Sequence, residues 1–212
     1  MINICGRYYL MLNLDNLRRW YNIEKDDNID YSPPGEIYPA QKAPVIVGKK
    51  PQLKIFRWGF TPSYTNRPVI NARGETVDQK NLFQNSFYNR RCLIPGNAFF
   101  EWKKKGNEKI KMKIGHNEEK IFSMAGLFQT FNDSKGNPVK CFTILTTEAS
   151  NKIKKIHNRM PVILDKENEN KWINPDTPTK KLKDLIKPYK DQKLYIKKDN
   201  PDKKDQLSFN FD

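Results

Sequence analysis

The 212-residue sequence has two histidines, three cysteines and no apolar run near the roughly 18 residues a membrane-spanning helix needs. Cys5, Cys92 and Cys141 cannot all pair, and none falls in a CxxC spacing. Neither a disulfide framework nor a zinc site is therefore indicated. Met1-Ile2-Asn3-Ile4 is not a basic segment leading into a long apolar stretch, so the start does not read as a secretory signal. Gly-rich phosphate loops, HExxH and paired metal-ligand motifs are also missing. The expectation is a reducing, cytoplasmic setting with no metal, no cofactor and no membrane.

Acidic residues are scarce too: 24 against 39 Lys and Arg, for a net charge of +15 and a mean hydropathy of -0.84. Residues 1–36 balance to −2 and residues 176–212 to +3, leaving +14 for residues 37–175. A basic middle with interleaved aromatics points to a polyanionic partner. A lysine-rich solvated surface would give the same numbers.

What is present is a series of short β-rich segments. Leu10, Leu12, Leu14, Leu17, Trp20 and Tyr21 pass from strand-like to helical spacing, with Asp15 a candidate N-cap. Ser32–Gly35 reads as loop. Pro44–Val47 and Leu53–Trp58 read as strands split by a Gly48–Pro51 turn, and Cys92–Ile94 and Ala98–Trp102 as strands around a Pro95-Gly96-Asn97 turn. Lys109–Ile114, Ile121–Thr130, Lys140–Thr146, Pro161–Leu164 and Leu194–Ile196 complete the strands. Asp78–Phe87, Asn151–Ile156, Asp165–Trp172 and Lys180–Ile186 are the helical candidates. Regular strand–helix alternation is absent. The expected fold is therefore α+β: a single domain over residues 1–197 on a curved, barrel-like, mostly antiparallel sheet with flanking helices. Residues 198–212 read as a polar tail with an apolar end.

Four residues could carry chemistry. Cys5, in Cys5-Gly6-Arg7-Tyr8, is a thiol beside a glycine with a guanidinium nearby, a setting that favours an accessible thiolate; a buried cysteine at a strand start is the alternative. Asn71, in Ile70-Asn71-Ala72-Arg73-Gly74-Glu75-Thr76, either presents its amide to a cleft or forms a turn. Glu101 lies among Phe99, Phe100 and Trp102. Desolvation there would raise its pKa toward the range of a general acid–base, unless strand alternation turns it to solvent. His157, in Ile156-His157-Asn158-Arg159-Met160-Pro161, is a better acid–base candidate than His116, which falls in an exposed turn.

These segments, in this order, resemble the SOS-response-associated peptidase (SRAP) family of abasic-site shield proteins. The resemblance also takes in Pro39 with Ala43–Ile46, Trp58-Gly59-Phe60, Arg91–Pro95 and Phe99–Lys103, and covers residues 5–197. It implies a covalent chemistry: the amine and thiol of an N-terminal cysteine attack the aldehyde of a ring-opened abasic sugar in single-stranded DNA. A Schiff base forms first, then a thiazolidine. It implies Cys5 as nucleophile, Asn71 orienting amine and sugar, Glu101 moving protons, and His157 assisting sugar opening and reversal. It implies Arg7, Arg73 and Arg159 on phosphates flanking the lesion, and Pro39, Trp58 and Trp102 as apolar positions near the strand or the active site. In the family the cysteine follows the initiator methionine directly; here Ile2-Asn3-Ile4 intervene. The start then lies downstream, or the protein cuts its own Ile4–Cys5 bond, or the thiol acts alone.

The tail residues Gln206, Leu207, Phe209 and Phe211 resemble the short peptides that bind the bacterial replication sliding clamp. A monomer is expected. A cysteine-type peptidase acting on other proteins and a non-covalent single-stranded DNA-binding module remain as alternatives.

Overall fold

The structure is a computed structural model that describes residues 5–24, 29–119 and 121–200. In chain order its elements are β1 Arg7–Leu10, α1 Leu14–Tyr21, β2 Gly35–Ile37, β3 Lys42–Val47, β4 Gln52–Trp58 and β5 Asn71–Arg73. These are followed by α2 Asn81–Asn89, β6 Arg91–Gly96, β7 Ala98–Lys105, β8 Glu108–His116, β9 Phe122–Asn132 and β10 Pro138–Glu148. The last are α3 Asn151–Lys154, β11 Arg159–Pro161, β12 Ile163–Leu164, α4 Lys166–Ile173, α5 Thr179–Asp184 and β13 Leu194–Lys198.

Strands β10, β4, β3, β6 and β9 pair in a ring that closes when β9 meets β10 again. All of these pairings are antiparallel except β4 with β10. Closure leaves no free edge inside the ring, and its two faces are buried in the core, with Val45 and Phe142 on one and Leu93 and Ala125 on the other. The second sheet has the order β13-β8-β7-β1-β2. This is the α+β, barrel-like, mostly antiparallel architecture expected from the pattern.

Three local expectations are corrected. The segments either side of Asn97 are not a hairpin: β6 joins the ring and β7 the second sheet. Asn97 makes the crossing by donating its N–H to Tyr9 O at 2.8 Å and accepting the Met11 N–H on Oδ1 at 2.7 Å. The cap of α1 is Asn13, whose Oδ1 takes the Asn16 N–H at 2.8 Å; Asp15 lies in the first turn. His116 is buried at the end of β8, its Nδ1 accepting the amide N–H groups of Glu118 and Glu119.

The helices are pinned by buried polar groups. The Arg91 guanidinium donates to the carbonyls of Phe87, Tyr88, Trp172 and Asn174, tying α2 and α4 to the ring. β13 runs one residue past the expected boundary at Lys197, and Asp199 still donates its N–H to Lys111 O at 2.9 Å. Gln206, Leu207, Phe209 and Phe211 lie outside the described residues.

Candidate active site

Pairing register explains Glu101. In β7 the side chains of Phe100 and Trp102 share one face and that of Glu101 the other. Alternation does separate Glu101 from those rings, but the face it takes is the interior one, with Phe99, Tyr8 and Ile114. Glu101 is 2 % exposed, and burial raises its pKa to about 7, against the opposing hydrogen bonds from the Cys5 and Trp102 amides.

Glu101 Oε1 accepts the backbone N–H of Cys5 at 2.7 Å. Cys5 itself has φ +43, the left-handed region that L-residues with a side chain seldom occupy. Its thiol is fully buried, not accessible as its neighbours suggested. Burial first, and the Glu101 charge second, push its pKa well above that of an ordinary thiol. Arg7 does not act as the thiol's cation. Its guanidinium bonds Glu36 at 3.2 Å and lies over the rings of Tyr38 at 4.3 Å and Trp102 at 5.4 Å.

The other half of the site is built on β10. One edge of β10 pairs in parallel with β5, setting Ile144 beside Asn71 and Thr146 beside Arg73. Beyond β9, the other edge pairs with β11, setting Glu148 beside Arg159. Asn71 and Arg159 are thus brought to the two sides of one strand end. Arg73 is exposed there. His157, half-buried just before β11, accepts the Arg159 N–H on Nδ1 at 3.1 Å; in the neutral ring the proton is then on Nε2. The turn after Arg73 must be glycine: a Cβ on Gly74 would stand 2.2 Å from Ile186 Cγ2.

Arg159 is engaged within the protein. Its guanidinium makes a two-pronged pair with Glu75 at 2.6 and 2.8 Å and donates to Thr146 O at 2.8 Å. Partial burial pushes the Glu75 carboxyl up, but the Arg159 hydrogen bonds and charge, with that of Arg73, leave it below its usual value. Glu75 and Thr146 were not foreseen. The signal for Glu75 was an acid retained inside the most basic stretch of the chain.

Trp58 does not face a DNA strand. It is wholly buried, edge-on to Tyr8 at 5.2 Å and stacked on Phe142 at 6.3 Å. Its indole N–H donates to Ile70 O at 3.0 Å, fixing the backbone just before Asn71. The link Cys5–β1–Tyr8–Trp58–Ile70–Asn71 therefore joins the two halves. Pro39 is half-buried in the turn after β2, where Ala40 N–H bonds Trp58 O at 2.8 Å, and Trp102 is half-buried at the sheet surface. Among the described residues no group of three or more His, Cys, Asp or Glu is placed to hold a metal, and no helix is long and apolar enough to cross a membrane.

The chain matches the SOS response associated peptidase (SRAP) family over residues 4–200. The chain belongs to that family. It is 35% identical over 196 residues to the abasic site processing protein YoqW of Bacillus subtilis, covering 88% of each chain. It is 26% identical over 195 residues to the abasic site processing protein YedK of Escherichia coli, covering 86% of this chain and 85% of the relative. A crystal structure of a protein from Bacteroides thetaiotaomicron superposes with a TM-score of 0.83 at 26% identity, over 93% of both chains.

Proposed function

We propose that this protein processes abasic sites in single-stranded DNA by forming a covalent crosslink through Cys5, as part of a DNA-damage response. The observation that carries the reading is the 2.7 Å hydrogen bond from the Cys5 nitrogen to Glu101, whose pKa is raised to about 7. If the Ile4–Cys5 bond is opened, that nitrogen becomes a primary amine already seated on an acid–base group poised near neutrality. Relatives named abasic site processing proteins support the choice of substrate.

The amine attacks the aldehyde carbon of the ring-opened sugar. Glu101 carries the nitrogen's two protons in turn to the carbonyl oxygen, giving first a carbinolamine and then departing water, so a neutral Schiff base remains. The thiol then adds across the C=N bond: sulfur bonds carbon, its proton goes to nitrogen, and a thiazolidine closes. Burial keeps the thiol protonated, so nitrogen acts first and sulfur second. Asn71 orients the sugar, His157 assists its opening, and Arg7 and Arg73 hold flanking phosphates.

The same pair offers a route to the free amine. The Cys5 thiol attacks the Ile4 carbonyl, Glu101 relays the thiol proton to the leaving nitrogen, and water hydrolyses the thioester. This releases residues 1–4 and restores the thiol.

The test combines intact mass with a denaturing gel, using uracil-containing single-stranded oligonucleotide and uracil glycosylase. Expected are a mass beginning at Cys5 and a heat-resistant shifted band that Cys5→Ala lacks. A band that survives Cys5→Ala, or none from material beginning at Cys5, overturns the proposal. Salt-sensitive binding alone would favour the non-covalent module, and cleavage of added polypeptides the peptidase.

A further inference from the structure

His157 lies in the loop between β10 and β11, whose ends are closed by the Ala149 N–H donating to Asn158 O at 3.0 Å. The body of the loop is α3, a single turn of four residues. A first helical turn fixes several dihedrals for one hydrogen bond, so it has little stability of its own. Its place is set by what it is fastened to. His157 depends on that turn directly, because its N–H donates to Ile153 O at 3.0 Å.

Ser150 stands at the N-cap of α3, where a serine ordinarily takes a first-turn N–H. It makes no such bond. Its Oγ is buried without a hydrogen-bond partner among the described residues, and its own N–H goes to Met160 Sδ at 3.4 Å. The first-turn N–H of Lys152 is taken instead by Asp191, 39 residues away, whose two carboxylate oxygens lie at 3.2 and 3.1 Å. The Lys152 ammonium donates back to the carbonyls of Asp191 and Leu194. Asp191 sits in a turn just before β13 that is fixed on both sides. Tyr189 Oη and Lys193 Nζ both donate to Asp165 Oδ1, at 2.9 and 2.8 Å, at the start of α4. A cap from Ser150 would leave the turn free to move with its own loop. The cap from Asp191 ties it to α4 and β13, which lie outside that loop.

We propose that Asp191 is a positioning residue for His157: its carboxylate seats α3, and α3 holds the imidazole in place at the end of β10. Asp191 acts through the turn and not on the sugar. With α3 seated, the Arg159 N–H meets His157 Nδ1 at 3.1 Å and the neutral ring keeps its proton on Nε2. The part His157 plays in the reaction is that of the proposed abasic-site chemistry, on which this assignment rests. Loss of the Asp191 carboxylate frees the turn, so the ring loses both its place and its single tautomer.

The experiment uses the full chain and reads crosslinking to an abasic single strand together with the His157 ring itself. Asp191→Ala is expected to lower the crosslinking rate at saturating oligonucleotide about tenfold, with half-saturation unchanged, and Asp191→Asn, which keeps an acceptor, to stay within about twofold of the parent. Asp191→Glu, which keeps the charge and displaces the acceptor, should fold and show a smaller loss of the same kind. In a His157→Gln background Asp191→Ala should cost nothing further. The chain has two histidines, so selective nitrogen-15 labelling gives two sets of ring signals, and His157→Gln assigns them. At about pH 8.5, where an imidazole is neutral, the two His157 ring nitrogens should be well separated in the parent and in Asp191→Asn and move toward each other in Asp191→Ala. Unchanged rate and ring signals in Asp191→Ala overturn the proposal. So does an equal loss in the His157→Gln background, which would mark general destabilisation, or a failure of Asp191→Asn to restore the rate. If the parent crosslinks nothing, yet the His157 signals move in Asp191→Ala and return in Asp191→Asn, Asp191 positions His157 and the abasic-site reading is what fails.

Discussion

The Cys5 nitrogen and Glu101 Oε1 meet at 2.7 Å across 96 residues of chain. The contact joins the start of β1 to the interior face of β7. It places a carboxyl raised to about 7 against the atom that must gain or lose a proton in either proposed reaction. In self-cleavage Glu101 receives the thiol proton as carboxylate. Release of residues 1–4 should therefore speed up as pH rises through about 7 and then level off. Glu101→Gln keeps an acceptor for the Cys5 N–H but cannot relay a proton. A loss of about 10²-fold and a flat pH profile are expected, read by timed mass spectrometry. A profile in Glu101→Gln that still bends near 7 would assign the titration to another group.

The same shift carries a stability consequence. The folded protein holds the Glu101 proton more tightly than the unfolded chain, whose carboxyl titrates near 4.5. Its stabilising contribution is complete below that value and is lost as pH rises through about 7. Glu101→Gln should thus melt higher than the parent at pH 8 and differ little at pH 4.

Arg159 and Glu75 give a pH dependence of opposite sign. Glu75 is held below its usual range, so the pair stabilises the fold above pH 4.5 and fades as pH falls below it. Arg159→Ala removes charged hydrogen bonds to Glu75 and Thr146 from a side chain 13% exposed, and should cost about 2 kcal/mol at pH 7. Glu75→Gln, which leaves Thr146 as acceptor, should cost less. Urea titrations at pH 7 and pH 3.5 check both, since the deficit should shrink at the lower value.

Trp58 separates scaffold from DNA contact. Trp58→Phe keeps a ring between Tyr8 and Phe142 but loses the hydrogen bond to Ile70, at a cost of about 1 kcal/mol. Crosslinking should fall because Asn71 loses its fixed backbone, while affinity for undamaged single strands stays at the parent level. A drop in that affinity with crosslinking preserved would return Trp58 to the DNA surface.

How much of this was legible follows from what each signal measures. Strand existence came through because branched and aromatic residues cluster where a pleated surface is half-buried. A barrel-like sheet was expected too; the order in which its strands close was not, because closure depends on β10 meeting β9, β4, β5 and β11 in turn, which no local pattern encodes. Glu101 was ambiguous because alternation tells which residues share a face but not which face is interior. Trp58 could be read only as near the strand or the active site, because a tryptophan beside a functional motif looks the same whether it stacks on a base or supports the backbone that presents Asn71. The positive φ at Cys5 left no trace at all, since Cys-Gly reads as an exposed turn whichever residue takes the left-handed conformation.

That conformation yields the remaining prediction. A left-handed φ costs an L-residue about 1–2 kcal/mol relative to glycine, through the clash of Cβ with the flanking peptide. Cys5→Ala keeps the clash and Cys5→Gly removes it, at the loss of one buried methyl worth about 0.8 kcal/mol. In the uncut chain Cys5→Gly should thus be as stable as Cys5→Ala or more so, reversing the usual order in which glycine is the weaker by about 1 kcal/mol. Denaturant melts of the two variants decide it; alanine the more stable by that margin would mean no strain is stored. The function of such strain follows from the definition of φ. It is a torsion about N–Cα measured from the preceding carbonyl carbon. Once the Ile4–Cys5 bond is cut there is no preceding carbonyl and nothing to clash with. The proposed cleavage would thus release the strain in the step that frees the amine, and would favour the form that can react.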